Sequence, residues 1–129
     1  MKFKAEVMKL NEKNENGRIY DEKCAKTILD KLSDNLFIDI QLNDKDIPYE
    51  IDPSTIIGQA LQGTIIDNKL IIEGVFNDNI DKTLLENHYL TPCGIGEINE
   101  KGILYNYEIT KLSVTQTSAF NSPCIQILD

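Results

Sequence analysis

The sequence has no tryptophan, a single histidine and only three cysteines, and no uninterrupted apolar stretch long enough to cross a bilayer. A spanning helix needs roughly 18 or more such residues, so none is expected. The opening Met1-Lys2-Phe3-Lys4-Ala5-Glu6 mixes both charge signs where a secretory leader is apolar, and the protein is expected to be made and kept inside a cell. Cys24, Cys93 and Cys124 are odd in number and share no C-x-x-C spacing, which argues against a disulfide framework and a zinc site. Reduced, partly buried thiols are expected, with no metal or cofactor. Positive charge is also short: 13 Lys and Arg face 21 Asp and Glu, a net charge of −8. Nonspecific affinity for nucleic acid comes largely from cations replacing counterions on phosphates, so such a binder is disfavoured.

What is present fits one globular domain spanning residues 1–129, with 41% hydrophobic and 26% charged residues. Phe3, Ala5 and Val7 alternate with Lys2, Lys4, Glu6 and Met8, a period of two that reads as a half-buried strand. Asn11 to Gly17 favours a turn. The period then changes: Cys24, Ala25, Ile28, Leu29 and Leu32 fall on one helical face behind Asp21 as cap, predicting a helix over about Glu22 to Leu32.

Leu36, Ile38, Ile40 and Leu42 alternate with Phe37, Asp39 and Gln41, predicting a strand, after which a polar run leads through Pro48 and Pro53. Ile56 to Ile66 and Leu70 to Phe76 flank Asp67-Asn68-Lys69 as a hairpin. A short helix is expected within Asn79 to Asn87, capped by Asn77 or Asn79. Thr91 to Ile98 and Ile103 to Thr115 form a second hairpin, whose second arm shifts register between Ile109 and Leu112 as a bulge would. Cys124 to Leu128 closes the chain. The expected fold class is α+β, mainly β, in the order β-α-β-β-β-α-β-β-β: six or seven antiparallel strands curled towards a barrel with two short helices against it.

Few residues offer chemistry. His88 precedes Cys93 by five positions, and an imidazole that takes a thiol proton makes a nucleophile; a histidine at a helix end more often caps or faces solvent. Ser33, Ser54, Ser113, Ser118 and Ser122 have no second histidine to serve them, and a Ser-Lys arrangement stays open. The acidic residues Asp39, Asp44, Asp46, Glu50 and Asp52 lack the order of a calcium loop and read as solvated. Cys93-Gly94-Ile95-Gly96 places two glycines inside an expected strand, which marks a bend or a close approach by another backbone or ligand.

The order of motifs resembles one family. Asn14-Glu15-Asn16-Gly17-Arg18-Ile19-Tyr20 before a helix resembles the opening of tailed-phage prohead core proteases. Ile57-Gly58-Gln59-Ala60, the hairpin ending Leu70-Ile71-Ile72-Glu73-Gly74, and the run from Gly94-Ile95-Gly96-Glu97 through Leu112-Ser113-Val114-Thr115 to Ser118-Ala119-Phe120-Asn121-Ser122-Pro123 look like its later pattern. The resemblance covers nearly the whole chain. It implies a bent antiparallel β-barrel flanked by helices, related to the herpesvirus assembly proteases. It also implies a catalytic histidine where this chain reads Gln41-Leu42-Asn43-Asp44, and a serine within Thr91-Pro92-Cys93-Gly94; neither residue type stands there.

The expectation is therefore a pseudoenzyme: a prohead-protease-like phage protein without the family's chemistry, a structural or auxiliary virion component bound to the major capsid protein or other virion proteins. Two alternatives stand beside it. One is an active maturation protease using Cys93 with His88, or Thr91 with a lysine. The other is a small acidic module or inhibitor steered by its charge to a host protein.

Overall fold

In the computed structural model, which describes residues 1–42 and 55–128, the first segment gives strand β1 (Lys2–Lys9) with Phe3, Ala5 and Val7 buried. Glu6 and Met8, expected on its other side, are buried as well, the strict alternation being lost where the register against the strand Lys69–Phe76 shifts between Glu6 and Met8. Helix α1 (Glu22–Ser33) begins where the Asp21 carboxylate accepts the Cys24 amide at 3.2 Å and buries Cys24, Ala25, Ile28 and Leu32. There follow β2 (Ile38–Leu42), β3 (Ile56–Ile66), β4 (Lys69–Phe76), α2 (Lys82–Glu86), β5 (Tyr89–Ile98), β6 (Leu104–Thr115) and β7 (Gln126–Ile127). The element order is the one the periodicities predict.

Several boundaries differ from expectation, each for a local reason. Leu36 and Phe37 are exposed and precede β2 rather than belonging to it. Asn35 takes φ +57° and donates to Leu32 O, while the Leu36 amide donates to Lys31 O, so these residues close α1 in a Schellman arrangement. Helix α2 starts later than expected because Asn77 to Ile80 form a separate turn, and Asp81, not Asn77 or Asn79, supplies the cap at 2.9 Å to the Thr83 amide. The last strand shrinks to Gln126–Ile127, the residues that pair with Lys4 and Phe3.

The strands form one sheet in the order β5-β6-β2-β3-β4-β1-β7. The expected closed antiparallel barrel is not formed: the sheet is open, with β5 and β7 as its edges, and β2 runs parallel to β6 through Ile40↔Leu112, Gln41↔Ser113 and Leu42↔Val114. Pro92 has no amide hydrogen for a second neighbour, which suits an edge strand. A strap does part of what closure would. Residues 11–20 fold back from β1, with Asn11 N donating to Tyr20 O, and reach β6 through Ile19, which donates to Gly102 O at 2.8 Å and accepts from Leu104 N at 2.9 Å.

Two turns of one design hold that junction. Asn14 Oδ1 accepts the amides of Asn16 and Arg18, and Asn99 Oδ1 accepts those of Lys101 and Ile103. Each turn has a glycine at positive φ, Gly17 at +75° and Gly102 at +83°. The turns touch so closely that a β-carbon on Gly102 would lie 2.8 Å from Gly17 O.

The core lies between α1 and one face of the sheet. Ile28, Ile38, Ile40, Leu70, Ile72, Leu85 and Leu112 are essentially fully buried, each contributing about 1.5–3 kcal/mol of transfer free energy. The Phe3 and Phe76 rings stack at 4.5 Å between centroids. The bulge expected in β6 is present. Cys93 faces Lys111 and Gly94 faces Ile109, so Thr110 is the extra residue and the inward parity changes there.

Candidate functional site

The parity change at Thr110 puts two kinds of residue on the two faces of β6. Ile109, Leu112 and Val114 enter the core, while Lys111 and Ser113 point to the other face and are nevertheless buried. Across the ladder, Cys93 pairs with Lys111 and Thr91 with Ser113; on the other side Gln41 of β2 pairs with Ser113. The result is a polar row of buried Cys93, Lys111, Ser113 and Gln41, with half-buried Thr91 at its end.

Hydrogen bonds run through this row. Lys111 Nζ donates to Gln41 Oε1 at 2.6 Å, and Gln41 Nε2 donates to Thr55 Oγ1 at 2.5 Å. Cys93 Sγ lies 3.5 Å from Ser113 Oγ. The Thr115 hydroxyl gives its proton to Thr117 O at 2.9 Å, so at the 2.6 Å contact between the two threonines Thr91 is the donor. Thr91, named in the sequence as a possible nucleophile, is thus spending its proton on a neighbour.

Cys93 and His88 are not brought together. Five residues of extended chain separate them, about 16 Å at ~3.3 Å per residue. The imidazole Nδ1 lies 2.7 Å from Leu84 O, and because a carbonyl only accepts, Nδ1 carries the proton. His88 therefore caps the end of α2, while the described partners of Cys93 Sγ are Ser113 Oγ and Thr91 O.

Of the acidic run, Asp39 accepts from Gln59 Nε2 at 3.1 Å; Asp44, Asp46, Glu50 and Asp52 lie outside the described residues, as do Pro48, Pro53, Ser54, Asn43 and the first part of that connection. Among the described residues no group of three or more His, Cys, Asp or Glu is placed to hold a metal ion, and no helix is long and apolar enough to cross a membrane.

The glycine string has a definite environment. A β-carbon on Gly94 would lie 2.7 Å from the Tyr107 ring and 2.8 Å from its hydroxyl, and closer still to Glu108 O. Tyr107 meets Tyr20 edge-on at 5.7 Å, and Tyr20 meets Phe120 at 5.2 Å. The Tyr107 hydroxyl is buried with no hydrogen-bond partner among the described residues. Burial raises its pKa, with the Tyr20 hydroxyl adding to the shift. Burial also raises Tyr20, against the pull of the adjacent Arg18 guanidinium. Cys24, whose thiol reaches Leu104 O at 3.4 Å, is pushed up to about 11, chiefly by burial.

Compared with known protein families, curated proteins and solved structures, the chain matches none. The site is accordingly read from its own geometry. Sequence reasoning noted Ser113 and Gln41 one at a time and passed over Lys111. The signal that joins them is the run Lys111, Ser113, Thr115 at spacing two, beside Thr91 and Cys93 at the same spacing.

Proposed function

We propose that this chain is a non-catalytic protein of prohead-protease-like type, a structural or auxiliary component of a tailed-phage virion that works by binding the major capsid protein or other virion proteins. The observation that carries the reading is Gly94. In the resemblance a serine belongs within Thr91-Pro92-Cys93-Gly94, and here Gly94 lies so close to Tyr107 and to β6 that a side chain has no room. The neighbouring Cys93 is buried against Ser113. In the place implied for the base, Gln41 is buried and bonded to Lys111 and Thr55. Loss of both nucleophile and base removes on the order of 10⁴–10⁶ in rate from a serine protease, and it leaves a fold free to serve as a binding surface.

The test is incubation of the purified chain with the scaffold and capsid precursor of the phage that encodes it. No cleavage, together with co-sedimentation with assembled capsids, is the expected result; specific cleavage overturns the reading.

A second reading has one observation in its favour. Lys111 stands directly opposite Cys93 in the ladder and Ser113 adjoins both, so a maturation protease would draw on Cys93 and a lysine rather than on His88. Cleavage abolished by Cys93→Ala is the result that would establish it.

A further inference from the structure

Asn16-Gly17 is the one step in the chain where glycine follows asparagine. At such a step the next backbone nitrogen can attack the side-chain amide carbon, because glycine has no β-carbon to stand in the way. The strap presents this step at the exposed tip of its turn. Asn16 and Gly17 are both exposed, and a β-carbon on Gly17 would meet nothing within 4 Å. Other asparagine side chains are engaged: Asn14 and Asn99 Oδ1 accept turn amides, Asn87 Nδ2 donates to Thr83 O at 2.7 Å, and Asn106 Nδ2 donates to Glu97 Oε2 at 2.9 Å. The side-chain amide of Asn16 makes no hydrogen bond among the described residues and is free to turn towards the Gly17 nitrogen. One bond guards the step, from Gly17 N to Asn14 O at 3.0 Å, and the opening of an exposed turn costs far less than global unfolding.

We infer that Asn16 is a site of self-modification whose isoaspartyl product loosens the strap from β6. The Gly17 nitrogen bonds to Asn16 Cγ and gives up its proton, the bond from Cγ to Nδ2 breaks, and the amide nitrogen leaves with that proton as ammonia. Water then opens the cyclic imide. Its addition at Cγ gives aspartate; its addition at the main-chain carbonyl gives isoaspartate, in which the backbone runs through the side chain and is longer by one methylene. The only co-reactant is water.

The longer product matters because the junction has no slack. A β-carbon on Gly102 would lie only 2.8 Å from Gly17 O, and the next residues bind β6 in register, Ile19 N to Gly102 O at 2.8 Å and Leu104 N to Ile19 O at 2.9 Å. Asn14 Oδ1 accepts the amides of both Asn16 and Arg18, a spacing that an added backbone atom disturbs. The inference rests neither on the family resemblance nor on a role in a virion.

The test keeps the full chain in mildly alkaline buffer over weeks, beside a free peptide with the sequence of residues 14–18. Trypsin releases the same residues from the chain, since Lys13 and Arg18 flank the cuts. Mass spectrometry reads the exchange of an NH for an oxygen, and chromatography separates aspartate from isoaspartate. Asn16 converts before any other asparagine and gives both products; Asn16→Gln, whose side chain would have to close a larger ring, loses the conversion. In the isoaspartyl fraction the Ile19 and Leu104 amides exchange hydrogen about tenfold faster than in the parent. Asn16→Asp, which adds the charge without the methylene, leaves that exchange unchanged. Asn16 still intact when the free peptide has converted, or another asparagine converting first, overturns the site. Isoaspartate with unchanged exchange at Ile19 and Leu104, or equally fast exchange in Asn16→Asp, overturns the loosening by chain length.

Discussion

Gly94 and Tyr107 are fitted to each other across the β5–β6 ladder: a β-carbon on the glycine would stand 2.8 Å from the phenol oxygen and 2.7 Å from the ring carbon that bears it. Real β-carbons do not approach other atoms this closely, and the near side of Gly94 is backbone, which cannot swing away. The bulge at Thr110 lies beside this pair and aims Tyr107 and Ile109 inward. The packing thereby requires one residue of Thr91-Pro92-Cys93-Gly94, the string within which the resemblance implies a nucleophile, to have no side chain.

Gly94→Ser is expected to destabilise the protein by about 2 kcal/mol, through overpacking against Tyr107 and Glu108 O, and to confer no proteolytic activity. Urea denaturation at equilibrium and a cleavage assay on the capsid precursor check both halves. Unchanged stability would mean that the site has room for a side chain.

Asn35→Ala is expected to cost about 1 kcal/mol, because Asn35 sits at φ +57° in the closing turn of α1, where a β-carbon without a polar group is strained. Asn35→Gly should fall within a few tenths of a kcal/mol of the parent. Denaturation midpoints of the two variants give the comparison.

This turn also shows what the sequence could and could not disclose. Periods of two and 3.6 are strong over Lys2–Lys9, Glu22–Ser33 and the two long hairpins, and there the elements match expectation. Leu36 continues the alternation of β2 by coincidence; its amide is engaged in closing the helix, a local bond that hydrophobic pattern does not register. Sheet closure was illegible for a different reason. Pairing of β2 with β6 joins residues some seventy positions apart, and nothing in either segment's alternation says that they run parallel. Pro92 did carry a readable sign, since a proline inside an apolar run belongs on an edge. In the candidate site, Cys93 and Ser113 were visible as residue types, but their adjacency depends on the single extra residue at Thr110.

Stability is expected to fall at alkaline pH through Cys24. Its folded pKa is raised to about 11 from 9.0, chiefly by burial, so the folded state holds the thiol proton more tightly than the unfolded chain does. The contribution is complete below about pH 9 and is lost as pH rises towards about 11. Stability measured across that range should fall more steeply for the parent than for Cys24→Ala, in which the raised, buried phenols of Tyr20 and Tyr107 still contribute.

Gln41→Leu is expected to cost about 1.5–3 kcal/mol, because it takes an acceptor from the buried Lys111 ammonium and a donor from Thr55. If Gln41 only fills space, a leucine of similar bulk would leave the denaturation midpoint where it is.

The most direct test of the central claim, the proposed virion role, is a mass-spectrometric inventory of purified mature virions of the phage that this proposal implies as the source of the chain, with its copy number set against the major capsid protein. A structural component is present in fixed stoichiometry and uncut. Absence from the virion, or survival only as trimmed fragments, would contradict the account and return the chain to an assembly-stage protease or an intracellular binder, with Cys93→Ala the variant to separate the two.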